Sequence, residues 1–357
     1  MIKKNKIIVG LSGGVDSTIV AYLLKKQGWA PLGVGIKINR WQNENFSEKD
    51  NSAALKTARN FCHKFKIPFY LIDGRKDFED KVVNYFIQEY KKGRTPNPCV
   101  ICNRYFKFKK LFEFAEKEGI EYVATGHYAQ IKFNPQTKKY ELWRAKDKNK
   151  DQSYYLCLLP QKWLKRIIFP LGNLTKKEVY QLAIKIGLDI RLKNKRESQD
   201  FCYLNKQPLS LFLKNQLGCK KGIIIDSQGR KIGEHSGAFL YTIGQRKGLT
   251  LSNGPYFVKA IDIRKNIVQV TKNRKELFQK EVSLCPFHFI SQNIPSKKLK
   301  VRVKIRYKHP LVRATLHPPK KNRLKVVFEK SQRAVTPGQF CVFYQGNLCL
   351  GGGVIIK

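Results

Sequence analysis

The sequence predicts an α/β protein: a parallel-sheet domain first, a small mainly-β central domain next, and a C-terminal β-barrel last. Three observations carry this. Over roughly the first 200 residues, short apolar runs alternate with longer amphipathic stretches, the pattern of strands and crossover helices. After about Gln207 the text changes to short strand-like runs broken by glycine turns. From about Glu281 the alternation is strict, with Val301, Val303, Ile305 and Tyr307 set against Arg302, Lys304 and Arg306, a strand with one cationic face. The expected domains are 1–207, 208–277 and 278–357.

The first strand is the apolar run Ile7–Leu11, long enough to be covered on both faces. It enters the turn Gly13-Gly14, and a helix follows from about Asp16 to Lys26, opened by Ser17 and Thr18. Glycines let backbone come close to a ligand, and the free N–H groups of a helix start suit a phosphate. The Lys-Ser/Thr ending of the Walker loop is absent. The hexapeptide Ser12-Gly13-Gly14-Val15-Asp16-Ser17 instead resembles the signature of the PP-loop ATP pyrophosphatases (adenine nucleotide alpha hydrolase-like), which split ATP into AMP and pyrophosphate.

Pro31–Ile38 is the second strand, and Trp41–Ser47 a polar loop placed to cover a ligand. A helix over Ser52–Phe65 turns Ala53, Ala54, Ala58, Phe61 and Cys62 inward, followed by a strand at Pro68–Ile72 and a helix at Phe78–Lys91. In Gly93–Asn103, two prolines and an asparagine exclude regular structure at the start, and Tyr105–Glu118 is helical. Cys99 and Cys102 therefore fall on a constrained loop or helix start, where amides and dipole favour thiolate. Tyr122–Ala129 is a buried strand ending in a glycine turn, with its C-terminal residues at the ligand crevice. Thr175 and Glu178 form a capping box for a helix to Ile186. Lys193–Cys202 is polar and loop-like, and Leu209–Leu217 helical. Hairpins are expected at Ile223–Asp226 with Lys231 onward, and at Tyr256–Ile263 with Ile267–Val270. The barrel block adds strands at Val326–Phe328, Phe340–Tyr344 and Val354–Ile356.

A net charge of +44 over 357 residues calls for a polyanionic partner, or reflects a Lys-, Ile- and Asn-rich composition. Nine cysteines, an odd number in a long chain, fit no secreted disulfide framework. The single C-x-x-C, Cys99 to Cys102, falls short of the four ligands of a structural zinc site. No apolar stretch reaches membrane-span length, and the first strand follows Met1–Lys6 directly, so a cytoplasmic protein without a signal peptide is expected.

Four motifs stand in order: Ser12–Ser17, Thr95-Pro-Asn-Pro-Cys-Val-Ile-Cys-Asn103, Ala124-Thr-Gly-His-Tyr-Ala129 and Tyr241-Thr-Ile-Gly-Gln-Arg-Lys-Gly-Leu249. With Lys150-Asp151-Gln152 and Ser198-Gln-Asp-Phe-Cys202 they resemble the tRNA-specific 2-thiouridylases over almost the whole chain. The resemblance implies replacement of the C2 oxygen of the wobble uridine of tRNA by sulfur. ATP, with Mg²⁺, adenylates that oxygen. A persulfide supplied by a sulfur-donor protein then delivers sulfur, and a disulfide forms between two enzyme cysteines.

It further implies roles for particular residues. Cys202 is the persulfide carrier and Cys102 the nucleophile. Gly10, Leu11, Ser12, Gly13, Gly14, Val15, Asp16, Ser17, Ile36 and Gly126 hold ATP. Asn97, Pro98 and Cys99 meet the target base, and His127, Lys150, Asp151, Gln152, Arg306, Tyr307 and Gln339 contact the tRNA. No resident metal is expected. Where many members carry Asp, this chain has Cys99, open to three roles: a competing nucleophile, a metal ligand with Cys102, or a wall of the base pocket. Thiol–disulfide exchange needs one cysteine to carry sulfur and another to resolve it. As about 100 residues separate Cys102 from Cys202, Lys193–Cys202 is the expected moving segment.

Overall fold

The structure is a computed structural model that describes residues 5–42, 50–188, 201–205 and 207–356. Most of the Trp41–Ser47 loop and of the Lys193–Cys202 segment lies outside the described residues.

The first layer is a parallel sheet of β1 (Lys6–Gly10), β2 (Ala30–Lys37), β3 (Phe69–Asp73), β4 (Tyr122–Thr125) and β7 (Ile167–Ile168), in the order β3-β2-β1-β4-β7. Central β1 is apolar on both sides. Ile8 packs with Val34, Leu111 and Val123, while Ile7 and Val9 pack with Ile19, Val20 and Leu24 of the helix Val15–Lys26. The strand order reverses between β1 and β4, whose last residues Gly10 and Thr125 are partners. That reversal opens a crevice beyond the C-terminal ends of both strands.

The helix Ser52–Lys64 buries Leu55, Ala58, Phe61 and Cys62. Ala53, expected inside, is exposed, because the buried stripe runs through Leu55, Ala58, Phe61 and Cys62 and Ala53 lies off it. Two expected helices begin earlier and carry a π turn. Arg75–Phe78, the π turn Glu79–Val83 and Asn84–Lys91 form one; Pro98–Cys102, the π turn Asn103–Lys107 and Phe108–Lys117 form the other. Proline is tolerated at the first helical position, so Pro98 starts the second of these rather than preventing it. The capping box is present: Thr175 Oγ1 accepts from the Glu178 N–H at 3.2 Å.

The central sheet has β8 (Gly222–Ile225), β9 (Lys231–His235), β10 (Phe257–Asp262) and β11 (Ile267–Thr271) in the order β10-β11-β8-β9. Both expected hairpins are present, and β11 joins β8 in parallel. The last block has β12 (Phe278–Phe289), β13 (Leu299–Lys304), β14 (Val312–Leu316), β15 (Leu324–Arg333), β16 (Phe340–Gln345) and β17 (Leu348–Ile355). These six close into an antiparallel barrel through the β12–β17 pairing. Val301, Val303, Phe328 and Phe343 fill its interior.

A hairpin that the sequence reading did not anticipate, β5 (Ala129–Asn134) with β6 (Lys139–Arg144), leaves the parallel-sheet domain and pairs with β17 at Leu348↔Trp143 and Cys349↔Leu142. The parallel-sheet domain and the barrel thus share hydrogen-bonded sheet. Among the described residues no helix is long and apolar enough to cross a membrane.

Candidate active site

At the crevice, β1 runs through Leu11 and Ser12 into the glycine turn. Gly13 has φ +76°, and a Cβ there would lie 2.0 Å from the Ala54 carbonyl oxygen, so the position is closed to side chains. Gly14 is the N-cap of Val15–Lys26 and brings no side-chain acceptor. The hydroxyls nearby brace the turn: Ser17 Oγ accepts from the Ser12 N–H at 3.2 Å and donates to the Gly14 carbonyl at 3.0 Å, and Thr18 Oγ1 donates to that carbonyl at 3.0 Å. A braced turn ahead of a helix start without a side-chain cap is a ready anion cradle.

From the other side of the crevice, Gly126 comes so close that a Cβ on it would lie 2.8 Å from Ser17 N. The Asp16 carboxylate is gripped by Lys176 Nζ at 2.7 Å from both oxygens and accepts from Tyr128 Oη at 2.9 Å. It therefore ties the helix start to the segment after β4. Ile36, half-buried near the end of β2, packs against both the sheet core and a neighbouring aromatic cluster.

The segment Thr95–Pro98 is fixed by all parts of the chain. Thr95 N–H donates to the Pro337 carbonyl at 2.9 Å, Thr95 and Thr242 hydroxyls are 3.0 Å apart, and Gln339 Nε2 donates to the Thr95 carbonyl at 2.8 Å. Asn97 Oδ1 caps the next helix by accepting from the Val100 N–H at 3.4 Å. Cys99 lies in the first turn of Pro98–Cys102 and Cys102 is its last residue, both half-buried.

Cys202 opens the 3₁₀ turn Cys202–Leu204. Its neighbours Phe201 and Tyr203 are locked into a buried cluster with Phe78, Phe86 and Phe212, while Cys202 itself is exposed. Cys102 packs against this same cluster, which sets it in the same part of the molecule as Cys202, and a charge on Cys202 would raise both the Cys99 and Cys102 thiols.

Three family models cover this chain: a tRNA methyl transferase HUP domain over residues 5–206, a tRNA methyl transferase PRC-barrel domain over 210–272 and an aminomethyltransferase beta-barrel domain over 279–355. The tRNA-specific 2-thiouridylase MnmA of Clostridium botulinum (strain Alaska E43 / Type E3) is 41% identical, over 99% of this chain and 98% of that protein. That of Clostridioides difficile (strain 630) is 38% identical, over 100% and 99%. The chain belongs to the tRNA-specific 2-thiouridylase family.

It is accordingly a sulfurtransferase that thiolates tRNA uridine. A 4-thiouridine synthetase–RNA complex with bound ATP is 18% identical at TM-score 0.38 over 60% of this chain and 50% of that one, too slight a likeness to bear on function.

For a 2-thiouridylase, the electrostatics of the thiols matter most. The expectation that the helix start favours thiolate is reversed here. Burial pushes the Cys99 and Cys102 thiols up to about 12 and raises that of Cys202 as well, despite its solvent contact, because the surrounding walls are dense. Desolvation outweighs the dipole at the helix start at Pro98. The Lys107 charge works in the opposite direction on all three thiols.

His127 has its Nδ1 2.7 Å from Thr125 Oγ1 and stacks on Phe108 with ring centroids 5.7 Å apart. Burial, and then Lys107, hold its pKa well below 6.5, so it is neutral at physiological pH.

The expected tRNA contacts fall into two groups. Asp151 is 3% exposed; its carboxylate accepts from Arg144 Nε at 2.7 Å and from the Ala145 and Ser153 N–H groups at 3.2 Å each. Gln152 Oε1 accepts from the Tyr128 N–H at 3.1 Å. Both shape the loop from inside, with Lys150 just before them. Tyr307 instead stacks face to face on Tyr155 at 4.3 Å, and Tyr155 in turn is close enough to Cys99 to feel its charge. Arg306 is exposed beside it. Gln339 is committed to Thr95 and acts as a clamp between barrel and crevice.

Lys107 and Tyr155 are site residues that the sequence reading missed. Tyr155 sits in an unremarkable apolar run, and Lys107 five residues after Cys102 falls on another face in a regular helix.

Outside the barrel, Lys280, Lys300, Arg302 and Arg313 line an open concavity of about 740 Å³, with Arg302 and Arg313 directly opposite each other across β13 and β14. Glu329 also lines it, 3.7 Å from Arg313 Nη1, so four cations face one carboxylate and the surface suits an anion.

Proposed function

We propose that this 2-thiouridylase works at the wobble uridine of tRNA by adenylation followed by persulfide transfer. The packing of Cys102 and Ile36 against the cluster that holds Phe201 and Tyr203, on either side of Cys202, supports this most directly. The residues present fit ATP: the turn Gly10–Ser17 and Gly126 for its phosphates, and Ile36 for adenine. As Asp16 is taken up by Lys176 and Tyr128, Mg²⁺ arrives on ATP's own phosphates.

The uridine, presented between Asn97, Pro98, Cys99 and His127, attacks the α-phosphorus through O2 and releases pyrophosphate. The terminal sulfur of a Cys202 persulfide then attacks C2. Cys102 attacks the Cys202 sulfur, AMP leaves, and the two cysteines end as a disulfide; both thiol protons are lost, and an external thiol reductant restores the enzyme. The persulfide comes from a donor protein. Lys150, Arg306 and Tyr307 touch the tRNA, while Asp151, Gln152 and Gln339 hold the contacting loops. Neutral His127 accepts or donates a hydrogen bond without competing for phosphate. The domain division is 1–207, 208–277 and 278–357, and the setting is cytoplasmic.

The test is incubation with tRNA, ATP, Mg²⁺ and a sulfur donor, followed by nucleoside analysis. Formation of 2-thiouridine at the wobble position, lost in Cys102→Ser and in Cys202→Ser while AMP formation persists, is expected. Thiolation surviving in both variants overturns the assignment.

A further inference from the structure

The Asn103–Lys107 π turn places a lysine where a regular helix would not. In an α-helix, residues five apart are separated by about 140° around the axis. Hydrogen bonding from i to i+5 brings them into line, and such single π turns concentrate at functional sites. Lys107 therefore follows Cys102 on the same face, and its backbone N–H points at the Cys102 thiol. Buried Phe106 and Phe108 on either side lock its backbone.

Its surroundings are unusual for a lysine. It is half-buried, yet among the described residues it has neither hydrogen-bond nor ion-pair partner, whereas Lys37, Lys110 and Lys176 each hold an aspartate. Its charge reaches three thiols on two separate elements, Cys99 and Cys102 on one and Cys202 on another. At the start of the same turn, Asn103 is 4% exposed and leaves Oδ1 without a donor among the described residues.

The other groups facing the thiols do not supply the needed charge as well. His127 is kept neutral, and Tyr155 is an uncharged phenol whose ionisation burial opposes. Arg40 reaches Cys202 alone of the three.

We propose that Lys107 is the fixed countercharge that stabilises the thiolate forms of Cys102 and Cys202 against their burial, so that they can attack during sulfur transfer. It is a positioning residue for charge, acting through the sulfurs, and its role rests on the persulfide reading given above. Each thiol proton is lost to solvent, and the ammonium, left without a protein acceptor, takes the thiolate in its place. Thiolate rather than thiol is the attacking species, so removing the cation slows sulfur attack without touching ATP.

The experiment is iodoacetamide alkylation of the reduced full-length chain across pH 6–10, read peptide by peptide by mass spectrometry. Exposed Cys219 serves as the control within the same molecule. In Lys107→Met, alkylation of Cys102 and Cys202 at pH 7.5 should fall about tenfold, the change in thiolate fraction for one pKa unit. Cys219 should not change, and Lys107→Arg should keep the original profile. Lys107→Gln, which retains polarity, gives the same reading should the methionine variant fold poorly. Coincident Cys102 profiles with and without the lysine overturn the proposal, as does an equal loss of reactivity in Lys107→Arg, which keeps the charge and would mean altered access. Since alkylation needs neither tRNA nor ATP, failure of the thiolation reading and failure of this one are separately visible.

Discussion

Replacing Gly126 by alanine tests whether the apposition of β4 and the helix start is the nucleotide site. The added Cβ would lie 2.8 Å from Ser17 N and 3.1 Å from the Asp16 carbonyl carbon, both backbone atoms. Ordinary contact begins at 3.4 Å, so the two backbones must separate by at least about 0.6 Å. Overpacking of this kind costs about 1–3 kcal/mol of stability. The larger effect should be on the reaction, because misplacing a reacting group by about 1 Å can cost about 100-fold in rate.

Gly28→Ala is the matched control. Gly28 has φ +88° but nothing within 4 Å of its added Cβ, so it carries backbone strain of about 1–2 kcal/mol with no encroachment on the crevice. The assays are ATP affinity by calorimetry and AMP formation in the presence of tRNA. Gly126→Ala should weaken ATP binding and cut AMP formation by one to two orders of magnitude, while Gly28→Ala loses only stability. If both variants are folded and bind and cleave ATP as well as the unsubstituted chain, the reasoning about this crevice is refuted.

Gln339→Ala removes a clamp of about 1 kcal/mol on the Thr95 carbonyl, and should lower thiolation while leaving ATP affinity intact; unchanged thiolation would show that the clamp is dispensable. Tyr307→Ala should weaken tRNA binding about tenfold or more, with Tyr307→Phe near normal, because a stacking ring is worth about 1–3 kcal/mol per base. Filter binding decides this, and equal loss in both variants would point to the hydroxyl instead. The concavity predicts a shallower salt dependence of tRNA affinity for Arg302→Glu/Arg313→Glu, since fewer phosphates are neutralised and fewer counterions released; an unaltered slope removes this face from the tRNA footprint. With the Cys102 thiol raised to about 12, its reactive form is scarce at neutral pH and increases as pH rises. Single-turnover sulfur transfer should therefore climb by up to tenfold per pH unit from 7 to 9, and a flat profile would falsify a thiol-limited step.

Much of this arrangement was legible in the sequence because local signals and global fold agree. The Ile7–Leu11 run, the Gly13-Gly14 turn and the Thr175–Glu178 box each have a local physical cause, and each forms as expected. The alternation of Val301, Val303 and Ile305 likewise reads directly as the inner face of a barrel strand. The misses have a cause too. A π turn leaves no trace in a period of 3.6, so nothing in the sequence singles out Lys107. The β5–β6 hairpin has no tight-turn signature, and its partner strand lies about 200 residues further on, beyond any local pattern. The thiol environment depends on how many walls close around Cys99 and Cys102, which spacing along the chain does not encode. The same holds for Asp151 and Gln339, polar residues that turn inward to other parts of the chain.

The pairing of Trp143 and Leu142 with Leu348 and Cys349 has a consequence for synthesis. At about 5–20 residues per second, the β6 edge emerges from the ribosome about 10–40 s before β17 does. During that interval the nascent domain carries an open strand edge of the kind that recruits other chains. A chain truncated before β17 should therefore accumulate as chaperone-bound or aggregated material, even though its parallel sheet is complete.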